Sequence, residues 1–207
     1  MTQNVIENLF SIPVYLSDGY TLDANNKDAL IKYATNNQSR NTSGNIITTD
    51  HYILDIPYLS DLKKYLLEQI SKYAHEVLCI IKNIDVYITQ SWLNINPTNT
   101  SHHFHSHPNS FISGTYYFQG NTPISFKHDH RNIFQNFAFD FTEINTYNSN
   151  ICNIKIQEGR CLLFPSTLHH FVENNNDKEE RISLSFNTFI KGRLTTFSSA
   201  QLTLGEK

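Results

Sequence analysis

The chain has 207 residues, 39% hydrophobic and 17% charged, with 16 Lys and Arg against 19 Asp and Glu for a net charge of −3. That length suits one domain with a full core, and the mild acidity argues against nucleic-acid binding, which wants a basic footprint. No apolar run approaches the roughly 20 residues a spanning helix needs, and the N-terminus shows no secretion signal. The three cysteines, Cys79, Cys152 and Cys161, lack CxxC spacing, so neither a disulfide framework nor a thiolate zinc site is indicated. A reducing, cytoplasmic setting is the expectation.

In chain order, residues 5–16 read as a short strand or extended entry interrupted at Pro13. Asp23 is a cap for a helix reaching Asn37, with Leu30, Ile31 and Ala34 on its apolar side. Residues 39–51 are polar and contain Gly44, hence a loop. From Tyr58 to Leu78 the apolar positions Leu59, Leu62, Leu66, Ile70, Tyr73, Ala74 and Val77 recur every three or four residues. They predict a second helix, with Ser60 as its candidate cap.

Beyond residue 84 the period changes to two. Strands are predicted over 85–96, 110–119, around 124–127, 137–142, 150–156, 159–165, 169–173 and 181–190. The expected fold class is therefore α+β, mainly β, in one domain over 1–207 with a helical part at 1–84 and a β core at 85–192.

Ten histidines are the unusual entry in the composition, and six of them fall in two short clusters. The first is Ser101-His102-His103-Phe104-His105-Ser106-His107-Pro108. The second, Phe164-Pro165-Ser166-Thr167-Leu168-His169-His170, closes a predicted strand. Ligands at i and i+2 on a strand share a face, so His105 and His107 could hold one ion, with a third ligand from the second cluster. Imidazole-rich sites with open positions suit catalytic iron, zinc, copper or nickel. Solvated loop histidines are the alternative. His128-Asp129-His130 forms a competing cluster that reads better as a polar loop, and His51 and His75 read as structural.

Downstream, Arg181, Ser183, Ser185 and Asn187 alternate with Ile182, Leu184 and Phe186. One reading is an edge strand with a wet face. The other is an anion pocket in which Arg181 grips a carboxylate in bidentate fashion and Ser183 adds a hydroxyl, a pairing that fixes orientation as Lys cannot. Tyr117 has the parity of His105 and His107 if the chain stays extended past Pro108. Asn94 shares a face with Trp92, for which core packing is the expectation. Ser113-Gly114 suggests close strand packing, and Cys161 reads as core.

The segments HSHPNSFISGTYYF, GRCLLFPSTLHHFVEN and ERISLSFN, in that order, resemble the 2-oxoglutarate- and Fe(II)-dependent oxygenases with an H-x-H-P-x-S-x-x-S-G-x-Y-Y signature, found in bacteria and tailed phages. SWLNIN and NLFSIPVYL extend the likeness over most of the chain. The resemblance implies a double-stranded β-helix, or jelly roll, with N-terminal helices packed on one sheet. It implies His105, His107 and His170 as metal ligands and catalytic centre, and Arg181 with Ser183 as the grip on 2-oxoglutarate. Tyr117 and Asn94 are further candidate co-substrate contacts. It also implies hydroxylation of a substrate with consumption of O2 and release of succinate and CO2. The superfamily's commoner triad is His-x-Asp/Glu…His. Here the carboxylate position holds His107, and a carboxylate elsewhere is the alternative second ligand.

Two other readings compete. A cupin-like metalloenzyme also places an HxH pair and a distal His in a small barrel, but no acid lies between Pro108 and Gly114. A non-enzymatic jelly-roll structural or binding module is the third reading. An exposed edge strand would offer one route to a homodimer.

Overall fold

The computed structural model describes residues 6–9, 11–127, 137–195 and 201–205. Its strands and helices follow in the order β1 (Tyr15–Leu16), α1 (Ala24–Asn36), β2 (Gln38–Arg40), β3 (Ile46–Thr48), α2 (Ser60–Lys72), β4 (Asp85–Asn96), β5 (His102–His105), β6 (Ile112–Gln119), β7 (Ile124–Lys127), β8 (Ile151–Ile154), β9 (Cys161–Pro165), β10 (His169–Val172), β11 (Arg181–Leu194) and β12 (Leu202–Leu204).

Side-chain alternation sorts these strands into layers. The larger antiparallel sheet runs β1-β9-β6-β11-β4-β3-β2, with β12 beside β11; the smaller runs β5-β10-β7-β8. One face of the large sheet carries Leu93, Ile95, Tyr116, Leu163, Leu184 and Phe186, which pack with Leu30 and Ala34 of α1 and Leu62, Leu66 and Ile70 of α2. Fully burying each such Leu or Ile stabilises the fold by about 1.5–3 kcal/mol. The opposite face meets the small sheet through a second apolar cluster of Tyr117, Ile124, Phe126, Ile156, Leu162 and Phe164. The result is the expected jelly roll with helices on one sheet. Among the described residues, no helix is long and apolar enough to cross a membrane.

Local chemistry explains the helix ends. Asp23 caps α1 by accepting from the Asn25 and Asn26 backbone N–H groups at 3.0 and 3.3 Å. Ser60 is the first helical residue of α2 and not its cap, because a 3-10 turn over Pro57–Leu59 leads directly into the helix. A π-helical segment, Tyr73–Val77, then closes it.

Several sequence expectations shift. Residues 39–51, expected as a loop, contribute to β2 and β3, which extend the edge of the large sheet beside β4. The segment 137–142, expected as a strand, has no regular structure and leaves Phe137, Phe139 and Phe141 exposed. The Arg181 strand is no wet edge: β11 lies inside the sheet between β4 and β6. The His128-Asp129-His130 cluster lies outside the described residues.

Candidate metal and co-substrate site

The inner face of the large sheet gives the site a polar floor, built row by row. Arg181 is opposite Asn96; Ser183 lies between Asn94 and Tyr117; Ser185 lies between Trp92 and Thr115; Asn187 is opposite Ser113. The small sheet supplies the roof, where adjacent strands set His170 directly opposite His105. His107 is not on β5 as expected. It follows the strand's end, where its backbone N–H donates to the Ser166 carbonyl at 2.9 Å, and this tie carries its ring back to the other two. The rings of His105 and His107 then stand 4.3 and 4.9 Å from that of His170.

The ring nitrogens are sorted by their partners. Nδ1 of His105 lies 2.7 Å from the His103 carbonyl, and Nδ1 of His170 lies 3.0 Å from the Leu168 carbonyl. A carbonyl only accepts, so both Nδ1 atoms carry protons and both Nε2 atoms present lone pairs. Nε2 of His105 and His107 are 3.2 Å apart, and one ligand atom from each of the three histidines lies within 4.8 Å of the others. Two nitrogens bound at right angles to one ion, with bonds of about 2.1 Å, stand roughly 3 Å apart. Three converging neutral imidazoles with no acid among them thus fit a divalent first-row ion.

Burial first, then the neighbouring rings, holds these histidines neutral. The His107 pKa falls to about 4, through burial and then the His105 charge, against a hydrogen bond to Asn187 that raises it. That of His170 falls to about 2, again through burial and then His105. Unfolded histidine takes up its proton near about 6.5. With the folded values below the unfolded one, the unfolded chain binds more protons across the interval, so stability falls as pH falls. The slope reaches about 1.4 kcal/mol per pH unit for each histidine. Urea titrations of the metal-free protein are therefore expected to show a midpoint that declines from pH 6.5 towards pH 4. A midpoint flat across that range would contradict the buried neutral triad.

Arg181 closes the other end of the pocket at 3% exposure. Its Nε donates to the Thr122 carbonyl at 3.2 Å, and Nη1 to Ser183 Oγ at 3.2 Å and Asn96 Oδ1 at 3.5 Å. All three acceptors are neutral, and among the described residues the salt bridges, Lys27–Glu158 and Lys63–Asp55, leave it without a carboxylate. Burial pushes its pKa down. The guanidinium carbon sits 5.2 Å from the Tyr117 ring centroid. The Tyr117 hydroxyl faces that charge without a hydrogen-bond partner of good geometry, and burial raises its pKa to about 12. Asn94 Oδ1 and Asn96 Nδ2 are likewise buried and unpartnered. A cationic fork beside two unsatisfied donors, the Tyr117 hydroxyl and Asn96 Nδ2, is a binding site for an anion with several acceptor oxygens.

Asn94, His105, His107, His170, Arg181 and Ser183 line one cavity, and Tyr117 lies beside Arg181 at its end. Trp92, expected as core, is half-buried, with its ring centroid 5.8 Å from that of His107 in an edge-type contact. His102 gave no signal of its own beyond adjacency. A bulge where β5 meets β10 brings it inward, stacked 4.7 Å from His105, where burial and then the His105 charge lower its pKa to about 3. The cavity between triad and arginine is narrow, about 30 Å³. Half-exposed His102, on edge strand β5, forms part of its wall.

The family described as "Putative 2OG-Fe(II) oxygenase" matches residues 90–187, a span holding every one of these side chains. Residues 90–187 belong to the 2OG-Fe(II) oxygenases. Solved structures agree on the oxygenase fold. One is an oxidoreductase of the 2OG-Fe(II) oxygenase family from Burkholderia pseudomallei, with 10% identity, 84% of each chain covered and a TM-score of 0.57. Another is a Pseudomonas putida prolyl-4-hydroxylase at 12% identity, covering 86% of this chain and 94% of that one, TM-score 0.53. HygX from Streptomyces hygroscopicus, solved with nickel, 2-oxoglutarate and hygromycin B, is 8% identical over 86% of this chain and 82% of its own, TM-score 0.54. Among curated proteins none matches the sequence.

Proposed function

We propose that this oxygenase is a 2-oxoglutarate- and Fe(II)-dependent hydroxylase in which His105, His107 and His170 hold the metal and Arg181 and Ser183 hold the distal carboxylate of 2-oxoglutarate. The buried arginine without a counter-ion, aligned with three neutral imidazoles, is the observation that carries this reading. Iron bound at the triad would activate O2, one oxygen leaving in succinate and the other entering the substrate as CO2 is released. The chain's own part is to bind, orient and keep dry. Ser183 Oγ accepts from Arg181 and so holds the guanidinium along the pocket floor. Tyr117 offers its hydroxyl to the co-substrate, and Asn94, whose amide donates to Ser185 Oγ at 2.9 Å, lines the same cavity. A cytoplasmic location belongs to the proposal, since all three cysteines are free.

The test is anaerobic addition of Fe(II) and then 2-oxoglutarate. The expected result is the weak visible charge-transfer band of a chelated keto acid, followed on aeration by stoichiometric succinate. Iron binding with no spectral response to 2-oxoglutarate would favour a cupin-like enzyme. No metal binding at all would leave a non-enzymatic module.

A further inference from the structure

Behind His107, away from the other two rings, lies a buried cluster of hydroxyls that the proposed chemistry does not use. Nδ1 of His107 is 2.7 Å from Ser113 Oγ. Ser113 Oγ is in turn 3.0 Å from Asn187 Oδ1 and 2.8 Å from Ser166 Oγ, and Ser166 donates to Ser110 Oγ at 2.7 Å. Ser113 and Ser166 are 0% and 1% exposed, so solvent does not reach the two central hydroxyls, while His107, Asn187 and Ser110 are half-buried. Asn187 reaches the cluster because strand alternation puts it on the same face as Arg181, Ser183 and Ser185, directly opposite Ser113 on β6.

Counting protons fixes the direction of this chain. Ser113 has one proton to give. Asn187 Oδ1 can only accept, and Ser166 has committed its own proton to Ser110. Those two neighbours already claim more than Ser113 can supply. An unprotonated Nδ1 on His107 would add a third claim on the same proton, whereas a protonated Nδ1 donates to Ser113 and brings its own. The contacts are best satisfied when His107 carries its proton on Nδ1. That leaves Nε2 as a lone pair aimed at the Nε2 of His105.

We infer that Ser113 and Asn187, backed by Ser166 and Ser110, form a positioning relay that locks the Nδ1–H tautomer of His107 and so fits an imidazole to the position where related triads carry a carboxylate. The relay does for His107 what single backbone carbonyls do for His105 and His170. His107 needs a different device because it lies beyond the end of β5, and its tether to Ser166 puts a hydroxyl cluster behind its ring instead of a carbonyl. Its importance for metal binding rests on the triad being the metal site, but the tautomer itself is a property of the metal-free chain.

The experiment is long-range 1H–15N histidine NMR of the metal-free protein at pH 8, paired with Co(II) titration. The wild type is expected to show His107 as Nδ1–H. In Ser113→Ala the proton should move to Nε2, where the His105 lone pair can accept it, and Co(II) affinity should fall about 10- to 100-fold. Asn187→Asp keeps the acceptor oxygen and should keep both the tautomer and the affinity; Asn187→Leu leaves Ser166 alone to claim the Ser113 proton and should weaken both. A wild-type His107 protonated on Nε2, or a Ser113→Ala protein with unchanged tautomer and affinity, overturns the relay. If Ser113→Ala does not fold, the wild-type tautomer and the Asn187 pair decide. If the wild type binds no Co(II) yet shows Nδ1–H, the relay stands and the metal reading fails.

Discussion

Replacing Arg181 with Met is expected to abolish 2-oxoglutarate binding while leaving metal binding at the histidines intact. Among the described residues the guanidinium is the one Lys or Arg charge lining the pocket, and its acceptors from Thr122, Asn96 and Ser183 are all uncharged. Taking such a charge out of water costs several kcal/mol, which neutral dipoles offset in part. A dicarboxylate supplies the missing counter-charge and satisfies the Tyr117 hydroxyl as well. Removing one partner of a buried charge pair costs about 3–5 kcal/mol, or roughly two to four orders of magnitude in affinity. The same substitution relieves the co-substrate-free chain of an unpaired buried ion, so its own stability should hold or rise. Thermal unfolding separates the two effects. Ligand at 100 times its Kd adds about 2.7 kcal/mol to the wild type, and a protein of this size gains about 2–4 °C per kcal/mol. The wild type should therefore gain roughly 5–10 °C with saturating 2-oxoglutarate, and Arg181→Met should gain nothing. Arg181→Lys keeps charge but loses the planar fork and should fall between them. Arg181→Met binding 2-oxoglutarate within a few-fold of wild type in calorimetry would sink the assignment.

That Arg181 faces the histidines was legible in the sequence, because strict alternation along β11 puts Arg181, Ser183 and Ser185 on one side and Ile182, Leu184 and Phe186 on the other. The same rule misled at 137–142. Phe137, Phe139 and Phe141 alternate as a strand should, yet alternation shows only that a segment could pair, and their side chains are 68%, 55% and 48% exposed. The reverse error occurred at β2 and β3, three residues each: Ile46 and Ile47 put β3 on the edge of β4, and polar β2 pairs with β3 in turn. Within the site, the histidines and the arginine announced themselves by residue type. Their supports did not. Ser110, Ser113 and Ser166 are ordinary residues until the fold brings their hydroxyls together, and His102 turns inward through a bulge that no spacing rule foretells. Gly114 was readable in kind: a Cβ there would run into the Phe186 ring and Leu163, so the close strand packing inferred from Ser113-Gly114 is real.

His170→Ala should remove metal binding, whereas His169→Ala should not, although the two residues are neighbours in sequence. Strand alternation separates them. His170 points into the pocket at 6% exposure, between the Phe126 and Phe164 rings, with its Nδ1 fixed by the Leu168 carbonyl. His169 points the other way, stacked 4.8 Å from Phe104 on the outer surface of the small sheet. His170 also faces both other rings, so its loss leaves two ligands on one side of the ion and none from β10. Disturbing a ligand's outer partner costs about 10- to 100-fold in affinity, and deleting the ligand should cost more. Co(II) titration should therefore show a loss beyond 100-fold for His170→Ala and under about threefold for His169→Ala, whose ring is farther out than any such partner. His107→Asp completes the comparison. It recreates two imidazoles and one carboxylate, a set suited to Fe(II), and should retain metal where His170→Ala does not. Equal losses in His169→Ala and His170→Ala would mean that the second cluster supports the sheet and does not bind the ion.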